Sequence, residues 1–151
     1  MRNRAAGFTL IELLIVVAII AIIAVIAVPN LMHGMQVARQ KRTVADMNQL
    51  SKAVEQYQID NTHYPQQSTQ GPVAGVVSGS LEPLYFKVTP ATDAWNGQLM
   101  YGSSANGSNY TIRSFGKNGT ADPSYGATHY FDCDIVIQDG SFTAYPEGAQ
   151  S

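Results

Sequence analysis

The sequence has a single cysteine, Cys133, so no disulfide can close any part of one chain. The fold must be held by packing and hydrogen bonds, and Cys133 itself reads as a small buried or strand residue. Basic residues are scarce in the later part. From Asp60 onward Lys87, Arg113 and Lys117 face eight acids, a balance of −5, which is a poor surface for a phosphate backbone and argues against a nucleic-acid partner. Only three histidines occur, His33, His63 and His129, and none has a partner at metal-ligand spacing. There is no glycine-rich phosphate loop, no Gly-x-Ser-x-Gly and no Cys-x-x-Cys, so the usual signatures of an enzyme are missing.

The mean hydropathy of −0.06 conceals two unlike parts. From Phe8 to Val28 only Thr9 and Glu12 are not apolar, whereas the remainder is polar and rich in Gly, Ser, Asn and Thr. A helix over those 21 residues covers roughly 30 Å, the thickness of a bilayer's hydrocarbon. Glu12 lies inside this run, where a charge costs up to about 2.5–3.5 kcal/mol on insertion scales, so it needs a compensating partner. A secretory signal cleaved near Ala24–Ala27 is the competing reading; the length of the run and the presence of Glu12 stand against it.

The stretch Gly7-Phe8-Thr9-Leu10-Ile11-Glu12, after a short basic head and before the long apolar run, resembles the processing site of type IV pilin-like proteins, which include type IV pilins and type II secretion pseudopilins. The resemblance implies that a prepilin peptidase cuts between Gly7 and Phe8 and methylates the new amine of Phe8, leaving the apolar segment in the mature protein. It also implies a filament of identical subunits, built at an inner-membrane assembly platform driven by an ATPase, with the subunit a single-pass inner-membrane protein beforehand. The spacing suits that role. Phe8 and Glu12 are four apart and share a helix face, so Glu12 can meet the Phe8 amine of a neighbouring copy when helices bundle. Pairing with its own N-terminus is the alternative.

Beyond Pro29, where a kink or softened turn is expected, the pattern becomes amphipathic. Met47, Leu50, Val54 and Tyr57 form an apolar stripe, while Arg39, Lys41, Arg42, Asp46, Lys52 and Glu55 occupy other faces. One helix from Phe8 to about Gln58 is expected, ended by Asp60–Pro65. Residues 66–92 read as a surface connection with a helical turn near Leu81–Phe86. From Asp93, turn dipeptides at Asn96-Gly97, Asn106-Gly107, Asn118-Gly119 and Asp139-Gly140 separate short β-like runs. The predicted pairs are Gln98–Tyr101 with Tyr110–Phe115, and Ile135–Ile137 with Phe142–Tyr145, in a three- or four-stranded antiparallel sheet. The expected class is α+β, divided into a leader (1–7), a membrane and filament-core helix (8–28), an amphipathic helix (29–59) and a soluble head (60–151).

Two further segments are similar to the major pseudopilin branch: Asp93-Ala94-Trp95-Asn96-Gly97 with Tyr101, and Ser114-Phe115-Gly116-Lys117-Asn118-Gly119. In that branch the loop after the second segment often binds calcium, which makes Asn118, Asp122, Asp132 and Asp134 candidate oxygen ligands. They would supply only part of the six to eight oxygens calcium takes, and aspartates in such loops are also ordinary turn formers. The resemblance favours a pseudopilin, delivered to a periplasmic or extracellular filament; a surface pilin and a membrane-tethered periplasmic binding or enzymatic domain remain as alternatives.

Overall fold

A computed structural model of the chain describes residues 7–123 and 126–147; residues 1–6, with Arg2 and Arg4, lie outside that range. Two compact units divide the chain, one up to Gln36 and one from Val37 onward. The first helix, α1, is assigned over Leu10–Asn61 and includes Pro29 within its span. In the first unit its large apolar side chains, Leu10 to Met35, are all exposed in the single chain, between 44% and 81%. An apolar surface of that extent requires lipid or other helices around it. The helix ends three residues later than the stripe predicts. Thr62, at φ 65°, sends its amide to the carbonyl of Gln58 at 2.7 Å, and the Asn61 side chain donates to the carbonyl of Tyr57 at 2.9 Å, so the last turn is satisfied locally.

In the second unit a six-stranded sheet forms from β1 (Gly71–Pro72), β2 (Met100–Ser103), β3 (Tyr110–Ser114), β4 (Gly126–Thr128), β5 (Ile135–Gln138) and β6 (Ser141–Pro146), in the order β1-β2-β3-β5-β6-β4. Both predicted pairs exist. β2 and β3 run antiparallel with Tyr101 opposite Ile112, and β5 and β6 form a hairpin around Asp139-Gly140. Positive φ at both turn residues, 47° and 80°, gives the twist that such a two-residue turn needs. The sheet is larger than predicted and not wholly antiparallel, since β4 pairs with β6 in parallel. β1 has two residues and β4 three, too short to show any periodicity.

The predicted stripe is the helical half of the core. Met47, Leu50 and Val54 are fully buried, and Tyr57 packs at the margin. Tyr101, Ile112, Tyr110, Ile135 and Ile137 supply the sheet half. Along β3, Tyr110, Ile112 and Ser114 alternate inward with Thr111 and Arg113 on the other face, whereas β5 is buried on both faces, with Val136 covered opposite Arg113. The connection between helix and sheet contributes more than a surface crossing. A short helix, α2 (Val76–Leu81), lies before the predicted turn, and Val73, Val77 and Leu81 bury completely at four-residue spacing. Residues 81–86 follow as a hydrogen-bonded turn, with the amide of Tyr85 on the carbonyl of Leu81 at 2.8 Å.

Polar bonds fix the register of helix on sheet. Ser51 and Tyr110 share a buried hydroxyl contact of 2.7 Å, and the Tyr110 hydroxyl also donates to Glu55 at 3.2 Å. Glu55 rests against Gly140, where any side chain would collide with it. Asp139 accepts from the amide of Tyr110 at 2.8 Å and from the Asn109 side chain at 2.9 Å, joining the hairpin turn to β3.

Candidate functional site

The start of α1 is a reciprocal cap. Thr9 stands just before the helix, and its hydroxyl accepts the amide of Glu12 at 3.3 Å. The Glu12 carboxylate in turn accepts the amide of Thr9 at 2.9 Å and its hydroxyl at 2.8 Å. Two of the orphan amides of a helix N-terminus are thereby satisfied, and the anion sits where the helix dipole favours it. Glu12 is therefore engaged within its own chain, through Thr9, one residue from Phe8. Around Gly7 a Cβ would meet nothing within 4 Å, and Phe8 is 78% exposed, so the bond between them is accessible. Sequence reasoning passed over Thr9; the Thr-x-x-Glu spacing ahead of an apolar run was the available signal.

A second constellation joins the two motif segments at Asp93, which is buried. Its Oδ1 accepts the amides of Trp95 at 2.9 Å and Gly97 at 2.8 Å, closing the loop. Its Oδ2 accepts the Ser114 hydroxyl at 2.7 Å, and the Ser114 oxygen accepts the Gly116 amide at 3.2 Å. The helix side of this knot is Thr43, whose hydroxyl donates to the carbonyl of Arg39 and accepts the amide of Ala94, both at 3.1 Å. Gly116, at φ +63°, lies against the carbonyls of Phe131, Asp132 and Cys133 with no room for a Cβ. These residues shape a loop; none presents a reactive group.

A family model described as "Type II secretion system (T2SS), protein G" matches residues 30–129, and one described as "Prokaryotic N-terminal methylation motif" matches residues 2–28. This chain belongs to the type II secretion system protein G family. Relatives named type II secretion system core protein G include those of Escherichia coli strain K12 and Klebsiella pneumoniae. The first is 33% identical over 125 residues, covering 78% of this chain and 85% of the relative; the second is 33% identical over 128 residues, covering 80% and 82%. The "Type IV wide pilus major component PilA4" of Thermus thermophilus is 53% identical over 64 residues, 42% of this chain and 48% of that one.

Within this protein G family chain the four candidate calcium ligands have unequal surroundings. Asp134 is fully buried, and among the described residues neither of its oxygens has a hydrogen-bond partner. Burial pushes its carboxyl above the usual range; the amide of Asp122 and the guanidinium of Arg113 offset part of this from beyond hydrogen-bond geometry, while the Asp122 carboxylate adds to it. Asp122 is half-buried nearby. Asn118 is occupied as a turn former, accepting the amide of Thr120 at 2.9 Å, and Asp132 is exposed. Among the described residues no three acid, His or Cys side chains gather as a metal cluster. A cation here would therefore draw on Asp134 and Asp122 and on backbone carbonyls. Arg113, which sequence reasoning did not single out, places Nε 3.8 Å from Asp134 Oδ2; its outward position on β3 two residues after Thr111 was the only available hint.

Proposed function

We propose that this chain is the structural subunit of a type II secretion pseudopilus and that it catalyses nothing. It is cut between Gly7 and Phe8 by a prepilin peptidase, methylated on the Phe8 amine, and polymerised through α1. The observation that carries this reading is an apolar helix, exposed along its whole first part, that opens on a capped carboxylate and stands in a chain of the protein G family. Before assembly the helix crosses the inner membrane once, its composition and length being sufficient for that. On assembly Glu12 meets the Phe8 amine of the adjoining copy. Such a pair strengthens as water and lipid headgroups leave, and its clearest value is register, because a misplaced neighbour would bury an unpaired carboxylate. Force comes from a separate ATPase acting through a membrane platform.

Processing has a direct check. Gly7→Phe is expected to leave the precursor uncut, seen as a band that does not shift on a gel in cells carrying the peptidase. Normal cleavage of that variant would remove Gly7 and Phe8 from the processing site. A surface pilus is the second reading, favoured by the likeness to the Thermus pilus component. Electron microscopy of cells lacking only this chain separates them: loss of surface fibres supports the pilus, and loss of secretion with fibres retained supports the pseudopilus.

Calcium at Asp134 and Asp122 is part of the same proposal. The fit rests on the buried carboxylate, whose two oxygens take no hydrogen bond among the described residues. The ion would supply positive charge and coordination bonds that fasten the loop after Gly119 to the start of β5. Calcium is expected to raise the thermal midpoint of the full chain in detergent by several degrees and chelation to reverse it, a gain set by its concentration over its dissociation constant. An unchanged midpoint with chelator would remove calcium from the account.

A further inference from the structure

Asp134 already has a cation beside it. The Arg113 guanidinium is 3.8 Å away, and among the described residues its buried Nε has no hydrogen-bond partner. The pair is thus close enough to attract but too far apart to bond, an arrangement that satisfies neither group fully. The same arginine also lines a groove of about 350 Å³ on the outer side of β2 and β3. Ser68, Gln70, Ser104, Asn109 and Thr111 are among its other lining residues, and no carboxylate is among them. Arg113 is 27% exposed, so its side chain bridges a sealed acidic pocket and an open polar groove. A guanidinium is always charged and keeps five donors, and hydroxyl and amide groups of such a groove can accept them.

We infer that Arg113 is the resident counter-cation of Asp134, that calcium competes with it for that carboxylate, and that the neighbouring polar groove receives the arginine when it is displaced. This rests on the calcium reading above for its second half only. The two cations cannot both sit against one buried carboxylate without repulsion in a poorly screened site. With the arginine in place the loop is partly held without metal, so this chain should depend on calcium less than its carboxylates alone would require. Arg113 acts here as a positioning and selectivity residue: it sets how much of the divalent ion's binding energy is spent on expelling a built-in charge.

The test uses the full chain in detergent, with calcium alone as the probe, read by titration calorimetry and by thermal midpoint with and without chelator. Arg113→Met keeps much of the aliphatic stem and removes the charge. It is expected to lower the calcium-free midpoint and to tighten calcium binding by roughly tenfold or more, as removal of a like charge a few ångströms away predicts. Arg113→Lys, a compact cation, should fall between the two. Binding by the methionine variant with none by the wild type would also support the inference and would show that arginine fully replaces calcium in this chain. Equal dissociation constants for wild type and variant would overturn the competition while leaving calcium in place. Absence of binding in both, with an unchanged calcium-free midpoint, would overturn the inference and the calcium reading together. Asp134→Asn is the control for site identity, and calcium binding that survives it at wild-type strength would overturn both as well.

Discussion

Glu12→Leu is expected to abolish polymerisation while leaving membrane insertion intact. On insertion scales the carboxylate costs up to about 2.5–3.5 kcal/mol in the apolar core, and replacing it with leucine makes the segment easier to insert. If Glu12 served only to anchor the helix, the variant would behave as well as the wild type or better. The filament reading requires the opposite. Without the carboxylate the methylated amine of a neighbour has no acceptor, the register of one helix on the next is unmarked, and the yield of sheared filaments should fall by at least about tenfold, the factor that roughly 1.4 kcal/mol per contact produces. Fractionation of membranes and quantitation of filaments from the same cells give both readouts. Wild-type filament yield from Glu12→Leu would end the pairing account.

The cap at Thr9 gives this experiment its control. Glu12 could matter only because it satisfies Thr9 within its own helix. Thr9→Val removes the hydroxyl and keeps the carboxylate, so an effect through capping alone should appear there at about 0.5–2 kcal/mol, the range for loss of an N-cap side chain. The pairing account predicts a much smaller loss of filaments for Thr9→Val than for Glu12→Leu. The cap also explains how a single chain tolerates the acid before assembly: its charge is already met by an amide and a hydroxyl.

The features readable in the sequence are those with a period or a spacing. The Met47–Leu50–Val54 stripe recurs at three and four residues and is the buried helix face, and Asp139-Gly140 between two β-branched or aromatic runs is the hairpin turn it suggests. β1 and β4 were not readable because each takes its place from its neighbours: Gly71-Pro72 pairs with Tyr101 and Met100, and Gly126–Thr128 with Ala144–Pro146, with no pattern of their own. The turn expected at residues 81–86 is present, but α2 just before it was not readable, for a related reason. Its buried positions are Val77 and Leu81 with Val73 ahead of them, a spacing interrupted by Gly75 and Gly79 that favours no helix by propensity. At the Asp134 pocket, sequence distance hid the pairing. Arg113 and Asp134 lie 21 positions apart and meet only because β3 pairs with β5, setting Arg113 opposite Val136, two residues beyond the aspartate on the same face.

The same dependence on strand pairing makes Asp93 the residue whose loss should most damage the second unit. Its two oxygens accept three donors, from Trp95, Gly97 and Ser114, and it is buried with them. Asp93→Ala removes the acceptor and leaves two amides and a hydroxyl facing an apolar methyl. Hydrogen bonds to a charged group contribute about 1.5–3 kcal/mol, and an orphaned buried donor costs about 1–3 kcal/mol, so a total near 3–5 kcal/mol is expected once the loop relaxes. That corresponds to a fall in thermal midpoint of roughly 10–20 °C for a unit of this size. Asp93→Asn separates charge from geometry. Its amide oxygen can still take the amides of Trp95 and Gly97, while its NH₂ meets the Ser114 hydroxyl, which must then accept from it as well as from Gly116. The loss should be about 1–2 kcal/mol, and Ser114→Ala should match it more closely than it matches Asp93→Ala. Thermal unfolding of the full chain in detergent measures all three. An Asp93→Ala midpoint within two degrees of wild type would mean that the loop finds other acceptors and that the knot between the end of β3, Thr43 and the Asp93–Gly97 turn does not hold the helix to the sheet.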